Sequence, residues 1–153
     1  MADPRVATLS GLCAFAGGDW PRARSRFEIA AASGDSALAA RGRRLAAFAG
    51  EGPALPHRSP GWAGALSAIL PGAGQVYCGR MQDGLRHLLF NGALIYSVVL
   101  LAQGDNVPAA VIVAGVTLPF YTGNILGARD EARRFDRRQR LGLMEQALAE
   151  TAR

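Results

Sequence analysis

Charge is nearly absent from the middle of this chain. Between Ser59 and Gly127 the only charged side chains are Arg80, Asp83, Arg86 and Asp105, and the flanks hold almost all the rest. A soluble globule of 153 residues scatters charge over its whole surface, so this segregation predicts a membrane protein with polar ends. The apolar middle divides into three stretches. Residues 59–79 are broken by Pro71, Gly72 and Gly74. Residues 88–103 are short for a span, but Leu85 and the snorkelling Arg86 and His87 extend them. Residues 107–128 are long enough to cross with some tilt or a kink at Pro119. Between the last two, "QGDN" reads as a tight turn.

Charge sign then sets topology. If 59–79 spanned, Arg58 would lie opposite Arg80 and Arg86. If it only dips in, every Arg shares one side and Asp105 is the sole charge on the other, which the positive-inside rule favours. The expectation is therefore an all-α membrane protein with both termini cytoplasmic. It has a short re-entrant or interfacial helix within 61–79, a two-span transmembrane hairpin over about 84–103 and 107–128, and a basic amphipathic cytoplasmic helix over 129–153. Non-helical backbone survives at membrane depth only when buried in protein or near water, so "PGAGQ" is expected to turn at the interface.

All 17 basic residues are Arg, with no Lys, and Ala and Gly abound, a composition that points to a GC-rich bacterial genome and hence to the inner membrane. The net charge of +5 raises nucleic acid as a partner. Six of the Arg, however, namely Arg129, Arg133, Arg134, Arg137, Arg138 and Arg140, directly follow an apolar run with a single aromatic, Phe135, among them, too few for a base-stacking surface. A bilayer surface with anionic headgroups explains them more simply, and nucleic acid is not the expected partner. Cys13 and Cys78 lie in different segments and read as reduced structural thiols. The opening "MADPRVATLSGLCAFAGGDW" contains an acid and a proline and no apolar core long enough for a signal peptide.

Residues 5–32 read as a helical hairpin. Val6, Leu9, Leu12, Cys13 and Ala16 have helical spacing, and Gly17-Gly18 ends the first helix. Asp19 is a natural N-cap, Pro21 sits in the first turn, and Ala23, Phe27 and Ala30 form an inward face. "AFAG" at 14–17 returns at 47–50, an offset of 33 residues, and Leu45 echoes Leu12. Such a period marks stacked helix pairs. "GEGPALPHRSPG" (50–61) reads as a linker, giving domains at 1–50, 61–128 and 129–153.

Two resemblances follow. Gly18-Asp19-Trp20, Ala23, Phe27 and Ala30 resemble the core of a tetratricopeptide repeat, with Asp35 where that repeat has proline. "GAGQVYCGRMQDGLRHLL" is similar to the start of the small two-transmembrane-helix domain common in bacteria, with Gly72, Gly74, Tyr77, Gly79, Gly84 and Leu88 on its pattern. Gln75 stands at its usual histidine and Val76 at its usual aromatic. The tail "FYTGNILGARDEARRFDRR" resembles the end of bacterial proteins that join helical repeats to such a hairpin. These resemblances imply membrane location and fold, and little about mechanism.

The candidate residues carry architecture more readily than chemistry. Pro71, Gly72, Gly74, Gly79 and Gly84 match no phosphate-binding loop and are expected to shape turns and close backbone approach. Asn91 and Asn124 fall at about the same depth of an antiparallel hairpin and are expected to hydrogen-bond across it, joined by Gln75, Tyr77, Tyr121 and Thr122. Ala110, Ala114, Gly123 and Gly127 offer a small-residue strip for helix packing, within the hairpin or in a homo-oligomer. Leu141, Met144 and Leu148 form a stripe by which the last helix caps the N-terminal hairpin or lies on the membrane. Phe15, Trp20 and Phe27 are core or docking residues.

No metal or cofactor set is apparent, and no catalytic residues are expected. The reading these features support is a membrane-anchored interaction or assembly module with a protein partner or a second copy. The alternatives are a subunit of a small oligomeric channel or transporter, and a lipid-modifying enzyme using Asp83 and His87.

Overall fold

The computed structural model describes residues 3–151, and every regular element among them is a helix, with no strand. The chain divides into two compact units. One is built from the chain before His57 and after Asp136, the other from His57–Asp136.

The first unit holds α1 (Pro4–Gly17), α2 (Trp20–Ala31) and α3 (Ser36–Glu51). Asp3, Asp19 and Asp35 cap them, each accepting backbone N–H bonds of the first turn. Asp35 thus starts a helix. Gly18, at φ 81°, ends α1 in the left-handed conformation that glycine adopts without strain. Helices α1 and α2 occupy the 5–32 stretch, and α3, which carries the echo at 47–50, adds a third helix to the first fifty residues.

The buried face of α1 also differs from expectation. Val6 and Leu9 are 62% and 65% exposed, and Cys13 and Ala16 are exposed too. The inward residues are Ala7, Thr8, Gly11 and Phe15. Gly11 decides this: a Cβ there would lie 2.5 Å from the Phe27 ring, so α2 crosses α1 where α1 has no side chain. The Thr8 hydroxyl donates to the Pro4 carbonyl, which satisfies it inside.

Phe15, Ala23, Phe27, Leu45 and Ala49 form the core, and Leu143 and Ala147 from the C-terminal helix complete it. Trp20 meets Phe15 edge-on at 5.0 Å. The C-terminal helix therefore covers the N-terminal helices through Leu143, Met144 and Ala147, while Leu141 stays exposed.

The second unit holds α4 (Pro60–Ile69), α5 (Ala73–Tyr77), α6 (Met81–Gln103) and α7 (Val107–Thr151) up to Asp136. The boundary of this unit falls within α7, at Asp136, where the sequence suggested residue 128. Helices α6 and α7 are both long and apolar enough to cross a membrane, and only 6% and 17% of their apolar windows are buried. A continuous exposed apolar band of that kind is unfavourable in water and suits a bilayer. Helix α6 begins three residues before the expected span, at Met81. Pro119 lies inside α7, where its missing N–H leaves the Gly115 carbonyl without its usual donor.

The 51–60 linker is only partly free. Gly52–Ala54 forms a 3-10 turn, and Gly52 packs against Trp20. Farther along, Asp136 accepts the Arg58 N–H at 2.9 Å and pairs with His57 Nδ1 at 2.6 Å.

Candidate functional site

The corner between α4 and α6 is where this sequence is least ordinary. Pro71 and Gly72 are the central residues of a turn closed by Ala73 N–H donating to the Leu70 carbonyl at 3.0 Å. Gly72, at φ 91°, takes the position that requires a left-handed residue. Gly79, at φ 84°, makes the second bend, with nothing within 4 Å of where its Cβ would be. Gly74 serves contact instead. A Cβ there would lie 2.6 Å from both the Ala128 Cβ and the Ser67 hydroxyl. Gly84 allows the backbone of α6 to lie directly on Gly72.

Proline at 71 has a second consequence. The Ser67 carbonyl would ordinarily accept from the N–H four residues on, and Pro71 has none. The Asn124 amide supplies it, with Nδ2 donating to the Ser67 carbonyl at 3.2 Å. Asn124 Oδ1 accepts the Gly72 N–H at 3.2 Å and Gln75 Nε2 at 3.1 Å. Gln75 Oε1 accepts the Ser67 hydroxyl, which itself accepts the Gly74 N–H. The Tyr121 hydroxyl donates to the Ala68 carbonyl. Two side chains one turn apart on α7 thus cap the C-terminus of α4, and Ser67, Gln75 and Asn124 are almost wholly buried in doing so.

Above this ring lies a polar cavity of about 230 Å³ lined by Gln75, Arg80, Asp83, His87, Gly127 and Glu131. Arg80 bridges Glu131 at 2.6 Å and Asp83 at 2.5 Å. Glu131 foremost, with Asp83, holds the Arg80 guanidinium above its ordinary pKa, against a partial opposing effect of burial. Asp83 also takes Arg86 at 3.2 Å. Among the described residues no group of three or more His, Cys, Asp and Glu is placed to hold a metal.

Several expectations change here. Asn91 does not reach Asn124, whose amide is occupied by the corner. Asn91 Nδ2 donates instead to the His87 carbonyl on its own helix, and its buried Oδ1 has no partner. Tyr77 does not join the two asparagines: its hydroxyl accepts the Ser59 N–H, and its ring lies 4.8 Å from the Arg58 guanidinium. Thr122 bonds back to Leu118 and Pro119 on α7. Asp83, named above with His87, pairs with Arg80 and Arg86.

The small-residue strip splits. Ala110 is buried and Ala114 half-buried, whereas Gly123 is exposed and a Cβ added at Gly127 would meet only Gln75 Nε2, at 4.0 Å. At about 3.6 residues per turn the two pairs point to opposite sides of α7. The basic cluster divides as well. Arg133 and Arg134 pair with Asp130 and Glu131, and the Arg129 stem packs over Gly64. Arg137, Arg138 and Arg140 belong to the other unit, where Arg140 folds over Gly18 with its Nε buried.

Ser67, Arg80, Glu131 and Arg58 were not foreseen as contacts. Ser67 alone left a trace, as a lone hydroxyl among the apolar residues of 62–70. No protein family matches the chain, and no curated protein or solved structure shows significant similarity to it.

Proposed function

We propose that this chain is a membrane-anchored interaction and assembly module with no catalytic activity of its own. The α6–α7 hairpin holds it in the bacterial inner membrane with both termini cytoplasmic. The observation that carries this reading is the continuity of α7. One helix supplies an apolar segment fit for a bilayer and, farther on, the Leu143 and Ala147 that fill the core beside Phe15 and Phe27. The helix that would anchor the chain is thus also a part of that core.

The resemblance of the Gly18–Ala30 stretch to a tetratricopeptide repeat supports a docking role, as does a cleft of about 590 Å³ along α2 and α3. Trp20, Pro21, Arg24, Ala49 and Pro53 line that cleft, which is large enough for partner side chains. The likeness of the Gly72–Leu88 stretch to the two-transmembrane-helix domain supports the anchor. Arg129, Arg133 and Arg134 are placed in sequence to meet anionic headgroups just beyond the second apolar run.

Reporters active on one side of the membrane, placed at each terminus and at residue 105, test the anchor. Both termini inside with 105 outside is the expected result, and termini on opposite sides refutes it. A photo-crosslinker at Pro53 is expected to capture a discrete partner that one at Asp105 does not. Identical patterns at both positions refute the docking face.

One observation favours a second reading, a small channel or transporter subunit: the unpartnered, buried Oδ1 of Asn91 lies one turn beyond His87, which lines the polar cavity. Ion flux through liposomes that disappears in Asn91→Leu would establish that reading over the first.

A further inference from the structure

Two depressions on the first unit, of about 390 and 590 Å³, share Arg24, Glu28 and Gly50, so they form one groove in the valley between α2 and α3. Its floor lies open because the residues there are small: Ala31, Ala46, Ala47 and Gly50 put no long side chain into the valley. The groove follows α2 from Trp20 to Ala31, 12 residues. At roughly 1.5 Å of rise per residue its length is about 16 Å, enough for about five residues of extended chain.

The charged side chains line the groove themselves. Arg24 stands on the α2 wall with Glu28 one turn on, and Arg43 stands on the α3 wall. Arg24 Nε meets Glu28 at 3.0 Å, but their side chains are 62% and 57% exposed, so solvent screens this pair and it opens at little cost. Arg43 forms no ion pair among the described residues. Helices α2 and α3 together carry six Arg against two Glu, so the field around the groove is positive. Its occupant must therefore bring negative charge. A phosphate backbone would meet Glu28 with nothing to donate, whereas a polypeptide offers carboxylates to the arginines and N–H groups to Glu28. Bases would find no free stacking platform either. Trp20, the one aromatic in the groove, is held edge-on by Phe15 and packed by Gly52.

We propose that this groove binds an extended acidic segment of a partner protein, with one carboxylate on Arg43 and the chain lying along the Ala and Gly floor. The proposal names the chemistry of the partner that docks along α2 and α3, and it rests on that docking reading.

The whole chain, purified in mild detergent, is titrated into a fluorescein-labelled peptide of alternating Glu and Ala, into the same peptide with Gln for Glu, and into labelled oligothymidylate. Anisotropy is expected to show the Glu–Ala peptide bound about tenfold more tightly than either of the others. Arg43→Gln is expected to weaken that binding about tenfold, as the loss of one charge-assisted contact does. Arg5→Gln removes the same charge from α1, outside the groove, and is expected to leave it unchanged. Ala47→Phe, at an exposed floor position, is expected to abolish it. Should that variant fail to fold, Arg43→Glu tests the same wall at an exposed position. It is expected to lose the Glu–Ala peptide and to gain a Lys–Ala peptide that the unaltered chain does not bind.

No binding of the Glu–Ala peptide, equal binding of its Gln counterpart, or tighter binding of oligothymidylate overturns the proposal. Equal losses in Arg5→Gln and Arg43→Gln, or insensitivity to both Ala47→Phe and Arg43→Glu, overturn it too. The photo-crosslinker at Pro53 separates this failure from that of the docking reading. If the peptide fails while Pro53 still captures a discrete partner, the acidic chemistry alone is overturned. If both fail, the docking reading falls with it.

Discussion

Replacing Asn124 by leucine isolates what the buried amide does. Leucine has the same branching and number of heavy atoms, so the change removes the hydrogen bonds while keeping the outline of the side chain. It leaves the Ser67 carbonyl without a donor, because Pro71 has no N–H to offer, and it leaves the Gly72 N–H without an acceptor. Gln75 Nε2 loses one of its two acceptors, Asn124 Oδ1, and keeps the other, the Asn124 backbone carbonyl. Each stranded buried group costs about 1–3 kcal/mol, so two of them predict a loss of about 2–6 kcal/mol. Asn91→Leu is the internal control. It removes one bond to the His87 carbonyl and an Oδ1 that has no partner, so its effect is expected between neutral and mildly stabilising.

Trp62, on α4 beside the corner, reports unfolding of this unit in a Trp20→Phe background as denaturing detergent is titrated into mixed micelles. A midpoint for Asn124→Leu no lower than that of Asn91→Leu would refute the capping argument. It would mean that α4 relaxes or water enters to satisfy the freed groups.

The glycines separate by cause in the same assay. Gly79→Ala is expected to cost about 1–2 kcal/mol, for backbone conformation alone, and Gly74→Ala more, since its Cβ must displace Ala128, Ser67 and the Ala63 carbonyl. Leu143→Ala is expected to destabilise the first unit by about 2–5 kcal/mol, as measured by chemical denaturation followed at Trp20 in a Trp62→Phe background, although residue 143 lies far from α1–α3 in sequence. Maleimide is expected to label exposed Cys13 quickly and buried Cys78 only after denaturation; equal rates by mass spectrometry would contradict the packing of Cys78 against Ala63, Ala128 and Ala132.

Much of the outline was legible in the chain. The charge-free middle marked the apolar helices because a bilayer tolerates so few ionised groups, and that signal needs no knowledge of neighbours. Caps were equally plain: Asp19 acts on the residues beside it, and Gly18 and Gly72 are local conformations. Faces were harder. On α1 the spacing of Val6, Leu9 and Cys13 was as regular as that of Thr8, Gly11 and Phe15, and only the close crossing of Phe27 over Gly11 chose between them. Partners of polar residues were hardest. Asn91 and Asn124 looked matched by depth, yet Asn124 was claimed by carbonyl and amide groups of the corner.

The sequence by itself determined helical class, the apolar segments, the turn at Pro71-Gly72 and the starts of the first helices, because each follows from interactions within a few residues. Tertiary structure decided that α3 and the end of α7 share a core with α1 and α2, that α7 caps α4, and that Arg80 bridges two acids. Apart from Arg80 with Asp83, those pairings join residues far apart in the chain. They depend on which groups are left without a donor, an acceptor or a counter-charge once the backbone has turned, and that is settled only in three dimensions.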